Sequence, residues 1–271
     1  MKNVLFRKNK NFFRFEWLYE RRMAFLLSGL LPQEQAHPLP EYASMLINAD
    51  FSRRAGVQPV DYEWVASPRQ GVERVMLDRV GAEKARATSI VRYAAGTTFP
   101  PHPHPGGEEI LVLSGVFSDE AGDYPAGSYL RNPPGTSHRP FSREGALIFV
   151  KLWQMPSHES RSVRVDTRDP SQWQTLNGRE RCLLFANETE QVSLERLKPD
   201  DPLFKAPVDG AAMLVLQGAL REGSKAFLSG AWLRLPPGEY PEFAAGEQDV
   251  TLYLKSGEPG KPDATTGGLD A

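Results

Sequence analysis

An internal repeat constrains the fold of this 271-residue chain more than any other feature of its sequence. The segment ILVLSGVFSDEAGDYPAGSYLRNPPGT begins at Ile110, and the segment MLVLQGALREGSKAFLSGAWLRLPPGE begins at Met213. They align without a gap at an offset of 103 residues (213 − 110), and ten of the 27 aligned pairs are identical. The shared glycines and the shared Pro-Pro-Gly fall where tight turns between strands are expected. Two copies of one β unit therefore predict two similar β domains in tandem.

The pattern of apolar residues favours an all-β fold class. Stretches rich in β-branched and aromatic residues, among them ATSIVRYA and GALIFVKLWQM, are separated by Gly, Pro and Asp, which is typical of strands joined by turns. We predict a first β domain over residues 49–156, a linker over 157–178 and a second β domain over 179–256. The Gly/Pro/Asp-rich residues 257–271 are predicted to be a disordered tail.

The N-terminal part of the chain differs from the rest. We predict that residues 1–48 form an extension that is partly disordered and holds one or two short helices. Residues 1–22 mix Arg and Lys with Phe, Trp and Tyr. This composition suits either an arm that touches a membrane or nucleic acid or an upstream extension of the reading frame. We favour the second interpretation, in which the natural protein starts at Met23.

The composition argues against several classes of protein. A net charge of −2 with 24% charged residues gives no indication of a general nucleic-acid binder, and the chain lacks the run of about 18 apolar residues that a membrane-spanning helix requires. The single cysteine, Cys182, excludes an intramolecular disulfide and a cysteine-rich zinc site. We expect Cys182 to be a buried apolar side chain. One cysteine fits a reducing compartment, so we predict a cytoplasmic protein.

Two of the chain's five histidines lie within the stretch GTTFPPHPHPGGEEILVLSG. Alternate residues of an extended chain point to the same side, so His102, His104 and Glu108 are predicted to share one side, whereas Glu109 is predicted to be exposed. The prolines that flank each histidine favour extended backbone and hold the two imidazoles at low entropic cost. His138 follows the turn-forming sequence NPPGTS, which is expected to return a third imidazole to the first two.

Three imidazoles and one carboxylate are a ligand set that suits Zn, Fe(II), Mn or Ni better than Ca or Mg. The second copy of the repeat is an internal comparison, because it keeps the turns and the strand pattern but none of these four side chains. The fold therefore does not require these four side chains, and we interpret them as metal ligands rather than as solvated residues of a loop. His37 and His158 lie outside the motif, and we interpret these two as solvated histidines. At the offset of 103, the four positions hold Lys205, Pro207, Ala211 and Pro241.

The spacing of these residues resembles the pattern of the cupin superfamily, G-x5-H-x-H-x3,4-E-x6-G followed by G-x5-P-x-G-x2-H-x3-N. Nine of its ten fixed positions are met, and Ser142 stands in place of the final Asn. The amino-acid sequence further resembles the cupin domain of ChrR-type anti-sigma factors over about residues 50–155. The resemblance implies tandem cupin barrels, which are double-stranded β-helix or jelly-roll structures. The first barrel would hold one divalent transition metal through the four predicted ligands: His102, His104, Glu108 and His138.

One departure from the ChrR type bears on the partners. ChrR-type proteins carry an N-terminal helical domain that binds zinc through His and Cys ligands. This domain binds the sigma factor. This chain has no cysteine before Cys182, which argues against sigma-factor binding by that route. The partners that we predict are a small molecule or O2 at the metal and a second copy of the chain in a homodimer. Neither nucleic acid nor a membrane is expected.

Such a metal site admits more than one function. A closed, four-coordinate zinc would have a structural or sensory role, and the ChrR resemblance implies a response to oxidative stress, such as singlet oxygen, or to a small molecule. An open, six-coordinate Fe(II), Mn or Ni would leave room for substrate and O2, as in a metal-dependent dioxygenase. A third alternative is a small-molecule binding module without turnover. Candidate pocket residues are Phe99, Arg131, Phe141 and Trp153, of which Phe141 and Trp153 are expected to pack in the core.

Overall fold

The computed structural model of the chain describes residues 45–81, 84–176 and 178–257. The predictions made for residues 1–44, including the short helices, and for the tail beyond residue 257 lie outside these ranges. The described secondary structure consists of strands and two short 3-10 helices, Pro59–Asp61 and Pro170–Gln172. No helix in this part of the chain is long and apolar enough to cross a membrane.

Twenty-three strands follow one another along the described residues. In chain order they are β1 Leu46–Ile47, β2 Ala55–Val57, β3 Val65–Ala66, β4 Val72–Val80, β5 Arg86–Tyr93, β6 Thr97–Thr98, β7 His102–Pro103, β8 Glu108–Asp119, β9 Gly122–Pro125, β10 Ser128–Asn132, β11 Ser137–His138, β12 Phe141–Ser142, β13 Ala146–Leu152, β14 Val163–Asp166, β15 Trp173–Leu176, β16 Arg179–Ala186, β17 Glu190–Leu197, β18 Ala211–Gln217, β19 Ala219–Glu222, β20 Lys225–Leu228, β21 Trp232–Leu235, β22 Phe243–Ala245 and β23 Val250–Gly257. Neighbouring strands pair antiparallel within two barrels.

The first barrel is built on a sheet with the strand order β1-β4-β5-β13-β8-β10-β14. Strands β3, β6, β9 and β12 add to this sheet, and β7 pairs with β11 in a separate small sheet. Successive side chains of a strand point to opposite faces, so β8 sends Ile110 and Val112 into the apolar core of the barrel. Glu109 and Leu111 of the same strand therefore point away from that core.

The second barrel repeats this arrangement with the order β15-β16-β17-β23-β18-β21-β2 and a three-stranded sheet β20-β19-β22. The repeated segments occupy the same places, since β18 and β21 stand where β8 and β10 stand in the first barrel. Apolar side chains fill its interior, including Phe227 and Phe243, whose rings stack with centroids 6.1 Å apart. The predicted all-β fold class, with two similar barrels in tandem, is confirmed.

One pair of repeated glycines marks a close approach of two strands in each barrel. Gly115 has a φ of 69° and Gly218 a φ of 77°, which is the left-handed region that favours glycine. A Cβ on Gly115 would lie 2.1 Å from the Gly145 carbonyl oxygen, and a Cβ on Gly218 would lie 2.4 Å from the Asp249 carbonyl oxygen. Both copies of the repeat therefore need glycine at this point.

Each barrel has an edge strand that lies outside the aligned segments. β2 lies between β1 and β3 of the first barrel but pairs with β21 of the second, whereas β14 follows β13 and pairs with β10 of its own barrel. The two pairings correspond in register, because Leu130 lies opposite Arg164 and Leu233, at the repeat offset, lies opposite Gly56. The segment predicted as a linker, residues 157–178, thus contains one strand of each barrel.

The two barrels pack through the outer faces of their large sheets. Phe149 of β13 contacts Tyr253 of β23 with ring centroids 5.1 Å apart, and the Tyr253 hydroxyl donates a hydrogen bond to Glu109. The prediction that Glu109 is exposed is wrong: it is 3% exposed, because the second barrel covers the face that the alternation assigned to solvent. Buried apolar side chains of the same faces are Leu111, Leu113, Tyr129, Leu214, Leu216 and Trp232.

Charged side chains are buried in the same inter-barrel layer, and the repeat relates some of them. Arg131, fully buried, donates to Glu109 at 3.0 Å and to Glu190 of the second barrel at 2.5 Å. Arg234, which corresponds to Arg131 at the offset of 103, lies 3.4 Å from Asp78 of the first barrel. Each barrel thus contributes one arginine that pairs with an acid of the other, which leaves these buried charges compensated.

Candidate metal centre

Two short strands and a turn bring three histidines together. β7 holds His102 and β11 holds His138, and the two residues lie opposite one another in the register of the pair. The Pro-Pro-Gly turn is tied to the backbone of His104, whose N–H donates to Thr136 O at 2.8 Å and whose carbonyl accepts from the Gly135 N–H at 3.1 Å. The turn therefore returns the third imidazole to the first two, as its sequence predicted.

The four predicted ligands form one cluster. One nitrogen from each of His102, His104 and His138 and one carboxylate oxygen of Glu108 all lie within 4.8 Å of one another. The imidazole centroids are 4.5 to 5.3 Å apart, and the rings are inclined at 74° to 83°, so edges rather than faces converge. His102 is half-buried and the other three side chains are buried. Among the described residues this is the one group of its kind.

Hydrogen bonds on the outer side of two histidines fix their tautomers. The Thr136 hydroxyl donates to the Pro133 carbonyl at 2.7 Å, so it can only accept from His104 Nδ1, which lies 3.0 Å away. His102 Nδ1 lies 3.2 Å from the Pro100 carbonyl, which can only accept. In both rings the proton is therefore on Nδ1, and Nε2 carries the lone pair that a metal ligand needs.

A buried carboxylate has the same effect on His138. Asp119 Oδ2 lies 3.4 Å from His138 Nδ1, and Asp119 Oδ1 accepts from the Ala121 N–H at 2.8 Å and from the Tyr124 hydroxyl at 3.2 Å. Burial alone would raise the pKa of Asp119, but the contacts with these three groups outweigh it and hold that pKa below its usual value. The negative charge of Asp119 lies close to His138 Nδ1, although these two atoms do not meet the geometry of a hydrogen bond. It favours the tautomer that has its proton on Nδ1 and presents Nε2 to the cluster.

The inner side of the cluster carries unsatisfied polar atoms. Asn132 Nδ2 donates to Glu108 Oε2 at 3.0 Å. The same oxygen lies 3.3 Å from His104 Nε2 and 3.4 Å from His138 Nε2, yet neither buried nitrogen has a hydrogen-bond partner. Lone pairs that face a carboxylate in a buried site cost free energy unless a cation lies between them. These residues therefore fit a metal ion.

The chemistry of the donors narrows the choice of ion. Burial lowers the pKa of His104, although the charge of Glu108 opposes the shift, so the ring is neutral and free to ligate at neutral pH. Three nitrogens and one oxygen suit Zn, Fe(II), Mn or Ni, whereas Ca and Mg prefer oxygen ligands throughout. The cluster fits one divalent transition metal.

Two of the predicted pocket residues lie beside the cluster. The Phe99 ring centroid is 6.1 Å from that of His102 and 5.6 Å from that of Tyr93. Trp153 is half-buried, has a φ of 57° and packs so closely on Gly106 that a Cβ there would lie 2.6 Å from its ring. Trp153 thus supports the turn between the second and third ligands and does not lie in the apolar core.

The other two predicted pocket residues contact charged side chains outside the cluster. The prediction for Arg131 is wrong, because its side chain lies on the outer face of β10 and pairs with Glu109 and Glu190 in the inter-barrel layer. Phe141, which was expected to pack in the core, is half-buried, and the Arg143 guanidinium lies 4.9 Å from its ring centroid.

Sequence reasoning missed the residues that support the ligands from outside. Asn132 could have been found, since strand alternation gives it the inward parity of Leu130 and it lies opposite Glu108. Asp119 gives no such signal, because it reaches His138 only through the fold of the hairpin formed by β8 and β9. These supports complete the cluster, since an outer partner orients each ligand.

Comparison with known proteins places the cluster in a recognised domain. The sequence profile of the ChrR cupin-like domain matches residues 52–156, which include all four members of the cluster. No curated protein matches the chain.

Solved structures share the fold at low sequence identity. A candidate dioxygenase from Nostoc punctiforme is 13% identical with a TM-score of 0.59, over 82% of this chain and 84% of its own. The pirin YhhW from Escherichia coli, solved in complex with nickel(II), is 14% identical with a TM-score of 0.58, over 77% of this chain and 100% of its own. The protein Ylba from Escherichia coli is 15% identical with a TM-score of 0.56, over 80% and 95%. At these identities the likeness shows the fold alone.

Proposed function

We propose that this chain, which belongs to the cupin superfamily and whose first barrel resembles the cupin domain of ChrR, is a metal-binding bicupin. One divalent transition metal would be held by His102, His104, Glu108 and His138 and would serve to sense an oxidant or a small molecule. The observation that carries the proposal is the orientation of the donors: the outer nitrogens face acceptors, and two inner nitrogens face one oxygen of Glu108. The nickel(II) complex of YhhW, a protein of this fold, supports the choice of ion.

A thiol is not a suitable sensor in this chain. Cys182 is buried, and burial raises its pKa to about 11, which keeps it in the protonated and unreactive form. An oxidant would therefore act at the metal ligands, of which His102 is the most exposed. Loss of the metal would remove the cation that offsets the repulsion between Glu108 and the facing nitrogens, and this is the change that we expect a signal to produce.

A metal-dependent dioxygenase is the second candidate, and the aromatic lining of the first barrel favours it. The Tyr93 ring centroid lies 5.6 Å from Phe99 and 5.7 Å from Phe117, and these two rings lie 6.1 and 6.0 Å from His102 and His138. Such a wall suits a planar organic ligand. A bound Fe(II), Mn or Ni would supply Lewis-acid and redox chemistry. Burial raises the pKa of Tyr93, so its phenol stays protonated and can donate a hydrogen bond to that ligand.

Metal content tests the proposed site. Protein purified without a chelating tag and reconstituted with Zn²⁺, Fe²⁺, Mn²⁺ or Ni²⁺ is expected to hold about one ion per chain by elemental analysis. His104→Ala is expected to lose the metal and keep the fold, because the second barrel forms without a histidine in the corresponding segment. His158→Ala, an exposed histidine outside the cluster, is the matched control and is expected to keep the metal. A content near zero in reconstituted wild-type protein would contradict the proposal.

Oxygen consumption separates the two candidates. Sustained O2 uptake by Fe(II)-loaded protein with a diketone, flavonoid or hydroxyacid would establish an oxygenase. Release of the metal by peroxide or singlet oxygen, without turnover of any of these compounds, would support the sensor. His104→Ala serves as the control for adventitious iron in both experiments.

A further inference from the structure

A chain of hydrogen bonds leads from the surface of the first barrel to Glu108. Arg164 of β14 donates from its guanidinium to Asn132 Oδ1 at 2.7 Å, and Asn132 Nδ2 donates to Glu108 Oε2 at 3.0 Å. A side-chain amide has one acceptor end and one donor end, so the bond from Arg164 decides which end of Asn132 faces Glu108. A turned amide would present its oxygen to the carboxylate and repel it.

The guanidinium of Arg164 is itself fixed in place. Its second terminal nitrogen donates to the carbonyl oxygens of Arg131 at 3.1 Å and Val163 at 2.8 Å. These three acceptors are neutral and belong to the paired strands β10 and β14. The guanidinium also lies 5.7 Å from the ring centroid of Tyr124. Arg164 is an exposed residue, so its position depends on these contacts rather than on burial.

The second barrel provides an internal comparison, because it keeps the strand pairing and lacks the whole relay. Leu235 lies opposite Ala211 as Asn132 lies opposite Glu108. In the same way, the strand added to β21 pairs as β14 pairs with β10. The relay is therefore not required by the fold and occurs only in the barrel that has the ligands. The three positions that hold Glu108, Asn132 and Arg164 in the first barrel hold Ala211, Leu235 and Gly56 in the second.

We propose that Arg164 is a positioning residue of the metal site, which acts through Asn132 to hold Glu108 in the orientation of a ligand. The inference rests on the proposed metal binding and adds a component from outside the segment that matches the ChrR-like domain. β14 lies beyond residue 156, where that match ends, and pairs with β10 of the first barrel. The metal site would then depend on a strand that the match does not include.

Charge and positioning predict effects of opposite sign, which makes the inference testable. A guanidinium repels a cation bound nearby, so if Arg164 acted only through its charge, its removal would tighten metal binding. If Arg164 acts by orienting Asn132, its removal frees the amide to turn and weakens metal binding. Loss of an outer partner of a metal ligand costs about 10- to 100-fold in affinity.

Zn²⁺ affinity, measured by competition with a chromophoric chelator, is the readout. Arg164→Met is expected to raise the Kd about 10- to 100-fold, and Arg164→Lys, which keeps one donor, is expected to recover part of this loss. Arg168→Met is the matched control, because Arg168 pairs with Asp166 at the surface and does not reach the cluster. The melting temperature of the metal-free Arg164→Met protein is expected to stay within about 2 °C of the wild type.

A double-mutant cycle with Asn132→Ala distinguishes the relay from an independent effect. Asn132→Ala alone is expected to weaken Zn²⁺ binding, and adding Arg164→Met to it is expected to cause no further loss. Unchanged or tighter binding by Arg164→Met, or losses that add in full, would overturn the inference and leave the proposed function standing. Absence of Zn²⁺ binding by the wild type would overturn both. If Arg164→Met fails to fold, Asn132→Leu is used in its place, because the second barrel has leucine at the corresponding position. Wild-type Zn²⁺ affinity of Asn132→Leu would then overturn the relay.

Discussion

Two lysines at corresponding places in the two large sheets lie in the same buried layer but have different surroundings. Lys151 is opposite Glu109 in the sheet as Lys255 is opposite the corresponding residue of the second barrel. Lys255 Nζ lies 2.7 Å from Glu190 and 3.1 Å from Glu109, whereas Lys151 Nζ donates to the Thr88 hydroxyl at 3.1 Å. Burial lowers the pKa of Lys151 to about 8, so keeping Lys151 protonated at pH 7 costs free energy in the folded state.

Replacing Lys151 by Met is expected to stabilise the fold at pH 7. Because the pKa in the native state lies below the ordinary 10.5, the unfolded chain binds more protons between about pH 8 and pH 10.5, and wild-type stability rises with pH across this window. The variant lacks this dependence. Its gain in unfolding free energy, at most about 3 kcal/mol, is therefore largest at pH 7 and smaller at pH 9.5, as urea unfolding at the two values would measure.

Lys255→Met is the matched control for this prediction, and the opposite sign is expected. The substitution would leave Glu109 and Glu190 buried with one cation fewer, which typically costs about 3 to 5 kcal/mol. Stabilisation by both substitutions, or by neither, would contradict the assignment of different roles to the two lysines.

Asp119→Asn is expected to weaken Zn²⁺ binding about 10-fold. The neutral amide can turn its donor end towards His138 Nδ1, which would favour the tautomer that no longer presents the Nε2 lone pair. Asp123→Asn is the control, because Asp123 lies in the same hairpin but accepts from Ser118 at 2.6 Å and does not contact a histidine. Equal affinity of the Asp119 variant and the wild type would show that Asp119 does not orient His138.

The metal ligands could be predicted from the sequence because three of them lie within seven residues and the fourth follows a recognisable turn. Their supports could not be predicted in the same way. Asp119 and Arg164 reach the cluster only after strands have paired, and neither residue type indicates a metal site by itself. Arg131 was misplaced for a related reason, since its parity on β10 depends on where that strand begins.

At the scale of strands, alternation predicted the two faces of β8 but not what covers each face. Glu108 faces the barrel and Glu109 faces away, as expected, yet the second barrel buries Glu109. β14 was not recognised as a strand because the sequence VRVD is short, lies at a sheet edge and leaves Arg164 and Asp166 exposed. Edge strands of this kind lack the apolar signal on which strand prediction depends.

The close approach at Gly115 gives a prediction at this scale. Gly115→Ala is expected to destabilise the protein by more than about 2 kcal/mol, because the residue has a left-handed φ and its Cβ would overlap the Gly145 carbonyl oxygen. Gly122→Ala, at the start of the next strand, has open space around its Cβ and is the control. A loss equal to that of the control, in urea unfolding, would contradict the prediction.

At the scale of the whole molecule, the repeat predicted two barrels, but not that β2 pairs with the second. This pairing could not be deduced from the repeat, because β2 lies outside the aligned segments. Its consequence is that the second barrel is not complete without a strand from the N-terminal side of the chain. The inter-barrel layer adds a second dependence, since separation of the barrels would break the ion pair between Arg131 and Glu190 and expose the apolar side chains that the two sheets bury.

This shared construction predicts that the two barrels unfold together and that metal bound to the first also stabilises the second. Calorimetry is expected to show one main transition. Zn²⁺ at 100 times its Kd is expected to raise the free energy of unfolding by about 2.7 kcal/mol and so to shift this transition to a higher temperature. Amide exchange in β16 and β17, which contain none of the proposed ligands, is expected to slow as much as exchange in β5 and β13. His104→Ala should abolish both effects of Zn²⁺. Two separate transitions, with only one shifted by Zn²⁺, would mean that β2 and the buried ion pairs do not couple the barrels.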